Sequence, residues 1–178
     1  NAEKMTQKAM EALEAAHADA VRKGHPELTT LHLLQALLEQ EHGLTGNLLG
    51  KMGKDPGTLK QAVSEELGKL PTFNGASGRV AASGGMNQVL VRSDDEAKQL
   101  GDEYVSVEHL LLAILEEGKS GPAGRLLQEH SIRRKELLKT LEDVRGGQRV
   151  TNRNPEDTFE ALEKYGSDLT LLAREGKL

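Results

Sequence analysis

The sequence predicts an all-α fold, a pseudo-twofold tandem repeat of a four-helix unit with about eight helices, followed by a short helical tail. Two observations support this fold class. One helical pattern occurs twice along the chain, with apolar residues at helical spacing behind residues that favour helix N-termini. Aromatic residues make up only 2% of the chain and tryptophan is absent. Leucine and alanine must therefore form the core, which favours helices over strands.

The repeat is clearest in two nine-residue runs. HLLQALLEQ at 32–40 recurs as HLLLAILEE at 109–117, an offset of 77 positions, with six of nine letters identical. The same offset continues upstream, and one inserted residue raises it to 78 downstream. Self-similarity at a fixed offset is the signature of a repeat architecture, so the chain contains two tandem copies of roughly sixty-five residues.

The first copy is predicted to form four helices. Thr6 is a good N-cap for the first helix, which continues at helical spacing until Gly24 ends it. The second helix begins near Thr29 and is apolar on most of its circumference, so it must be the buried central helix of its copy. A short helix follows at 45–52. Asp55 then caps a fourth helix with a proline at its first position, where the missing N–H costs nothing.

The second copy repeats this plan, and its helices are predicted at 83–100, 106–117, 122–130 and 131–144. The run NGASGRVAASGG between the copies is rich in Gly, Ser and Ala and has no periodicity, which predicts a mobile linker. After a second break, Asn154 and Pro155 open a tail helix that runs through Tyr165, and 167–175 forms a further turn or two.

The predicted organisation follows from these breaks. The first repeat spans 1–73, the Gly/Ser/Ala-rich linker spans 74–85, and the second repeat spans 86–147. Both repeats are expected to form one domain, because a single four-helix unit leaves an apolar face uncovered. The remaining residues, 148–178, form a second linker and the tail.

The composition excludes several classes of function. Without cysteine the chain has no disulfide, thiolate metal site or cysteine nucleophile. A net charge of −5 disfavours nucleic acid as a partner, because phosphate binding needs a basic face. No apolar run approaches the ~20 residues of a membrane span, and charges throughout the first turns of the chain are unlike a signal peptide. We therefore expect a cytoplasmic protein without membrane contact, and a chain that opens at Asn1 is expected to be a fragment of a longer protein.

No catalytic, cofactor or metal site stands out. The run GNLLGKM at 46–52 is similar to a phosphate-binding loop, but its glycine spacing is one residue short and methionine replaces Ser or Thr. His32 and His109 occupy equivalent positions one turn into the central helices, where we expect them to pack or hydrogen-bond at the helix N-terminus. Zinc needs three or four converging ligands, which the histidine spacing does not supply. We therefore predict that this chain is not itself an enzyme and binds neither cofactor nor metal.

A binding function remains, and the seam between the two copies is a natural groove. The first helix of each copy is less uniformly apolar than the second and should lie nearer the surface. Met10 and Leu13 in the first copy, with Leu90 and Val91 in the second, are the candidate walls of a shallow apolar groove. Leu13 and Leu90 also fit the core stripe, so a purely structural role stays open for both.

The doubled unit resembles the N-terminal repeat domain of the Clp-type AAA+ unfoldases. The resemblance rests on Thr6 at the start of the first helix and on the runs HLLQALLEQ and HLLLAILEE. The strings RGGQRV at 145–150 and ALEKYGSDLTLLAREGKL at 161–178 resemble the junction into the first ATPase module of the bacterial disaggregases in this family. The resemblance covers the whole chain, and it implies that 148–178 contains the start of that ATPase module.

The resemblance implies that the longer protein is a homohexameric, ATP-driven chaperone that extracts polypeptides from aggregates together with the DnaK chaperone system. ATP and Mg would be bound in the ATPase modules outside this chain, and the fragment itself would be monomeric. Its N-terminal domain would recognise exposed apolar segments of unfolded chains. Of the polar positions that the family places near its groove, Thr6, Asp102 and Glu108 match here.

These three polar residues also have structural explanations. Thr6 caps a helix, Glu108 lies in a first turn where negative charge complements the helix dipole, and Asp102 follows a helix-ending glycine. Both interpretations stay open, and they can coexist. Charged residues on the first helix of the second copy depart from the apolar pattern of the family and favour a narrower or more charged site; they are Arg92, Asp94, Asp95 and Glu96.

We therefore predict a substrate-recognition domain that captures unfolded segments weakly, while a flexible tether keeps them near the pore. The alternative is a docking platform for a folded adaptor, as in Clp unfoldases that feed a protease. A third possibility is a structural spacer that regulates the ATPase. The tail string favours the disaggregase.

Overall fold

The predicted capping residues and apolar stripes form an all-α domain in the computed structural model, which confirms the fold class. The structure describes residues 4–73, 79–157 and 159. Within these residues the helices are α1 (Gln7–Arg22), α2 (Thr30–Glu39), α3 (Leu44–Lys51), α4 (Pro56–Gly68), α5 (Gly84–Gln99), α6 (Val107–Glu117), α7 (Pro122–Glu129) and α8 (Arg134–Arg145). Two short strands, β1 (Glu27–Leu28) and β2 (Ala81–Ala82), accompany them. Across the described ranges, no helix has the length and apolar character needed to span a membrane.

Side-chain caps begin three helices at the predicted residues. Thr6 and Ser83, at equivalent positions of the two repeats, each accept the backbone N–H three residues ahead, at 3.1 and 3.0 Å. Asp55 accepts the N–H of Gly57 at 3.0 Å at the start of α4. Each cap satisfies a donor that the first helical turn leaves unpaired.

The last helix begins later than predicted, at Arg134 rather than at Ser131. Ser131 has a φ of +58°, and a left-handed residue cannot continue a right-handed helix. Its N–H instead binds the carbonyl of Gln128, which closes the turn after α7.

The segments that precede the helices pair between the two repeats. β1, before α2, pairs in parallel with β2, before α5. The equivalent residues Met5, before α1, and Val105, before α6, form a parallel bridge of the same kind. Each repeat therefore binds the segment before its first helix to the segment before the other repeat's central helix. Backbone hydrogen bonds of this kind hold the two copies together as one unit.

β2 lies inside the range 74–85 that was predicted as a linker. Residues 74–78 lie outside the described residues, whereas Ala81–Ala82 pair with β1 and Ser83 caps α5. A strand of two residues is too short to show an alternating pattern, so no periodicity in the sequence predicts it. In the tail, residues 155–157 are helical as predicted, and residues 160–178 lie outside the described part of the chain.

The central helices α2 and α6 form the middle of the core. Residues 30–37 of α2 and 107–115 of α6 are buried without interruption, as their apolar circumference predicted. α1 and α5 each contact both central helices, so both first helices lie over the same central pair.

Candidate functional site

The seven predicted site residues fall into two groups. Thr6, Asp102 and Glu108 are buried in one polar cluster at the N-terminus of α6. Met10 and Leu13 on α1, with Leu90 and Val91 on α5, form the apolar group. The polar cluster, as we use the name below, consists of Thr6, Asp102, Ser106, Glu108, His109 and Arg145; Glu156, from the segment after α8, binds Thr6 and the first residue of α6.

Asp102 follows the glycine turn that ends α5 and uses both of its carboxylate oxygens. Oδ2 lies 2.7 Å from Nε2 of His109 and 2.9 Å from Nη1 of Arg145, while Oδ1 accepts the N–H of Val150 at 2.9 Å. Burial alone would raise the pKa of Asp102, but the hydrogen bonds from His109 and Val150 and the charge of Arg145 lower it below its usual value. Asp102 is therefore held as a buried carboxylate.

The imidazole of His109 has a defined orientation. Its Nδ1 accepts the N–H of the N-cap residue Ser106 at 2.8 Å, so the proton lies on Nε2 and points at Asp102. His32 makes the equivalent bond to the N–H of Thr29 at 2.9 Å. The prediction that both histidines hydrogen-bond at a helix N-terminus is confirmed.

Glu108 is fully buried in the first turn of α6 and is paired with Arg145, the last residue of α8. Its Oε2 lies 2.6 Å from Nη2 of Arg145, and its Oε1 accepts the hydroxyl of Ser106. Desolvation would lower the pKa of the Arg145 guanidinium, but the carboxylates of Glu108 and Asp102 raise it. One buried cation thus bridges the two buried anions, which compensates for the cost of removing them from water.

Glu156 closes the polar cluster from the C-terminal side. Its Oε2 accepts the hydroxyl of Thr6 at 2.7 Å and the N–H of Val107 at 3.2 Å. Burial, together with the nearby carboxylate of Glu108, raises the pKa of Glu156 to about 7. Thr6 therefore both caps α1 and binds the segment that follows α8.

That segment covers the polar cluster. We call residues 149–157, with Phe159, the C-terminal strap. Its backbone accepts the N–H of Glu103 at Val150 (2.9 Å) and that of Gln7 at Arg153 (2.8 Å). The ring of Phe159 is buried, with its centre 5.4 Å from the guanidinium carbon of Arg145.

The apolar group lies on the outer layer of the core. Leu13 and Leu90 occupy equivalent positions, and both are half-buried and packed against the core, as is Met10. Val91, one residue beyond Leu90, is 66% exposed. The leucines therefore meet the structural expectation, while Val91 and the outer parts of the other three side chains remain available for contact.

Arg145 and Glu156 were not predicted from the sequence. A signal for Arg145 was present, because the repeat alignment places Asp102, Glu108 and Arg145 opposite His25, Leu31 and Leu67. Charges at positions where the other copy has a buried histidine and two buried leucines mark a site specific to one repeat. Glu156 lies outside both copies, so no internal comparison could have found it.

The phosphate-loop-like run begins within α3, whose residues extend to Lys51, and so it is not a loop over that stretch. Among the described residues, no three His, Asp or Glu side chains are grouped in a way that could hold a metal ion.

Comparison with curated proteins gives close relatives along almost the whole chain. The chain is 50% identical over 178 residues to the chaperone protein ClpB of Nitratidesulfovibrio vulgaris and 44% identical over 177 residues to that of Bacillus anthracis. Both alignments include 98% of this chain but 21% and 20% of the relatives. The chain thus spans about a fifth of the length of the curated relatives it matches.

Solved structures show the same fold. The N-terminal domain of Hsp104 from Candida albicans superposes with a TM-score of 0.76 at 24% identity, covering 86% of this chain and 99% of that one. The N-terminal domain of the ClpV1 ATPase from E. coli gives a TM-score of 0.70 at 22% identity, covering 81% and 87%. The family described as the Clp repeat N-terminal domain matches residues 4–130, which include α1 to α7. The chain belongs to the Clp repeat N-terminal domain family, in the form that occurs in ClpB chaperones.

Proposed function

We propose that this chain is the substrate-recognition domain of an ATP-dependent chaperone that disaggregates stress-denatured proteins in the cytoplasm. It binds exposed apolar segments of unfolded chains and delivers them to the AAA+ pore of the longer protein. The ClpB relatives support this proposal, and their greater length leaves room for the rest of the machine. ATP and Mg binding, assembly into a homohexamer and cooperation with the DnaK system are parts of the proposal that concern the longer protein.

The observation that carries the proposal is the symmetric placement of apolar side chains on the two first helices. α1 and α5 both lie on the central pair α2 and α6, and they present the equivalent residues Leu13 and Leu90 half-buried at their surfaces. Val91 adds an apolar side chain that is mostly exposed. Two related helices that pack on the same central pair would form a shallow site, which suits an extended apolar segment of no fixed sequence.

Shallow contacts of this kind hold a segment only briefly. Burial of one or two additional aliphatic side chains contributes about 1.5–3 kcal/mol each, before the cost of ordering the bound segment is subtracted. Weak capture suits a domain that must release its substrate to a motor, because tethering keeps the released segment at a high local concentration.

An NMR titration of the labelled chain with unfolded casein tests this proposal. We expect fast-exchange shifts that cluster at Leu13, Leu90 and Val91. The Val91→Ser variant should bind about fivefold more weakly, since it loses part of one valine burial, and should fold normally because the side chain is exposed. The matched control is Val21→Ser, which changes another exposed valine, at the C-terminal end of α1. This variant should leave binding unchanged.

The same titration separates the alternatives. Absence of shifts at high casein concentration would overturn substrate recognition by this chain. Binding of a folded adaptor without binding of casein would instead support the adaptor-docking domain of a Clp unfoldase that feeds a protease. If the chain bound neither, a structural spacer that regulates the ATPase would be the remaining function.

A further inference from the structure

We propose that the C-terminal strap is an intramolecular ligand of the polar cluster, fastened by Glu156 in its uncharged form and loosened when that carboxyl group ionises. Docking of the strap would cover Thr6, Asp102 and Glu108, and release would uncover them. This inference does not depend on substrate capture by α1 and α5.

The first repeat shows that the fold itself does not need the buried charges. His25, Leu31 and Leu67 stand where the second repeat has Asp102, Glu108 and Arg145, and all three are buried. Replacing a buried ion triad by apolar residues is often neutral or stabilising, so the charges of the second repeat are weak evidence for a role in stability. They do, however, bind the strap, because Asp102 accepts the N–H of Val150 and Arg145 lies over the ring of Phe159.

The strap is attached along its whole described length. Val150 both donates to Asp102 and accepts from Glu103, Arg153 accepts from Gln7, and Glu156 accepts from Thr6 and Val107. The partners lie in two regions that are distant in sequence, namely the start of α1 and the stretch from the turn after α5 to the start of α6. Because these contacts follow one continuous stretch of chain, we expect the strap to open as one local unit.

Glu156 is the contact residue of the strap whose charge can change. Both of its hydrogen-bond donors reach Oε2, whereas Oε1 is buried without a partner among the described residues. Arg145 already serves the carboxylates of Asp102 and Glu108, and no ion pair within the described ranges joins Glu156 to a cation. An uncharged carboxyl group is the form that such a position accepts at least cost.

The charged and titratable groups around Glu156 come from every element packed against it. Glu108 and His109 lie on α6, Asp102 on the turn before it, and Arg145 on α8. Lys8 of α1, His42 before α3 and Asp157 of the strap line a small cavity of about 20 Å³ beside Glu156. Burial, and after it the Glu108 carboxylate, raises the pKa of Glu156 to about 7.

The direction of the pH effect follows from this shift. The ordinary pKa of a glutamate is 4.5, and the pKa of Glu156 in the docked strap is about 7. Between these two pH values, the docked strap holds a proton on Glu156 that the released strap does not. Docking therefore weakens as pH rises through this window, by up to about tenfold per pH unit, and levels off above it.

Hydrogen exchange of the 178-residue chain at pH 5.5 and 7.5, corrected for intrinsic rates, tests the proposal. The reporters are amides that donate to or across the strap, those of Gln7, Glu103, Val107 and Val150. We expect their opening constants to rise together by about twentyfold between the two pH values. Amides in the middle of α2 and α6, away from the strap, should not show a rise of this size.

The Glu156→Gln variant keeps the acceptor for Thr6 and Val107 but cannot ionise, so its opening constants should be the same at both pH values. Asp157→Asn removes an exposed charge on the same turn and should behave like the parent chain. A rise in Glu156→Gln as large as in the parent would overturn the role of Glu156, since other groups would then cause it.

A second variant tests the docking site independently of pH. The triple change Asp102→His, Glu108→Leu and Arg145→Leu installs the residues of the first repeat. We expect the strap amides to lose protection at both pH values while the core amides of α2 keep theirs. Unchanged protection at Val150 and Glu103 would show that the strap does not depend on the polar cluster.

Discussion

The two repeats cap the start of the central helix in the same way, but the capping histidine has a different second partner in each. In both, a histidine three residues after the N-cap accepts the N-cap backbone N–H, His32 from Thr29 and His109 from Ser106. The other nitrogen then finds a different partner. Nε2 of His32 lies 2.8 Å from Nδ1 of His25, whereas Nε2 of His109 lies 2.7 Å from the carboxylate of Asp102.

The replacement of His25 by Asp102 as the partner of Nε2 alters the chemistry of the whole site. In the first repeat, buried Leu31 and Leu67 stand at the positions of Glu108 and Arg145. In the second repeat, Arg145 pairs with the carboxylates of both Asp102 and Glu108. The same backbone thus supports an uncharged and an ionic interior. The common feature is the histidine capping box, which is therefore what the fold requires, and the charges are an addition of the second repeat.

The largest expected effect comes from removing one partner of the ionic interior. Arg145→Leu leaves Asp102 and Glu108 buried without a cation, which should lower the free energy of unfolding by about 3–5 kcal/mol. Urea denaturation at pH 7 measures this loss. The triple change of Asp102→His, Glu108→Leu and Arg145→Leu should recover most of it, because no unpaired charge remains.

Arg134→Leu provides the control for the first prediction. Its guanidinium pairs with Glu96 and Glu116 but its side chain is 32% exposed, so water can replace the lost partner. We expect a loss of about 1 kcal/mol. Losses of equal size at Arg134 and Arg145 would mean that burial of the ion pairs does not distinguish the two sites.

The sequence predicted the parts of this comparison that repeat locally. N-caps at Thr6, Ser83 and Asp55 and the buried central helices follow from patterns within a few residues. The strand exchange could not be predicted, because each partner is one or two residues long. Arg145 and Glu156 reach the site through tertiary packing across 37 and 150 positions of the chain, and no local pattern encodes such a distance.

The next effect should appear on acidification. Burial, followed by the neighbouring His25, lowers the pKa of His32 to about 4, from an ordinary value of 6.5. Below pH 6.5 the unfolded chain therefore takes up a proton that the folded chain refuses, so stability falls as pH drops towards 4. The contribution of His32 is on the order of 3 kcal/mol over this interval. Urea denaturation between pH 7 and 4.5 measures it.

Two variants isolate this contribution, because Glu156 acts in the opposite direction over part of the range. His32→Gln keeps a side chain that can complete the capping box but cannot titrate, so the loss of stability with acid should be smaller than in the parent chain. His109→Gln makes the same change in the second repeat and should retain the acid sensitivity that His32 confers. If His109→Gln were the less acid-sensitive variant, the neutral pair would not be the source of the effect.

The smallest effect should be equal in the two repeats. Gly24 and Gly101 are equivalent turn residues with φ of +70° and +72°, and a Cβ at either position would meet its nearest neighbour at an ordinary 3.5 Å. Alanine at either site should therefore cost about 1–2 kcal/mol from backbone strain alone. Gly68→Ala, at the end of α4 with no atom within 4 Å, should have the opposite sign. Equal losses of stability at Gly24 and Gly101 would mean that the repeats differ in their side chains and not in their backbones. A difference of more than about 1 kcal/mol would show that the backbones are not equivalent, so that the buried charges are not the only difference between the repeats.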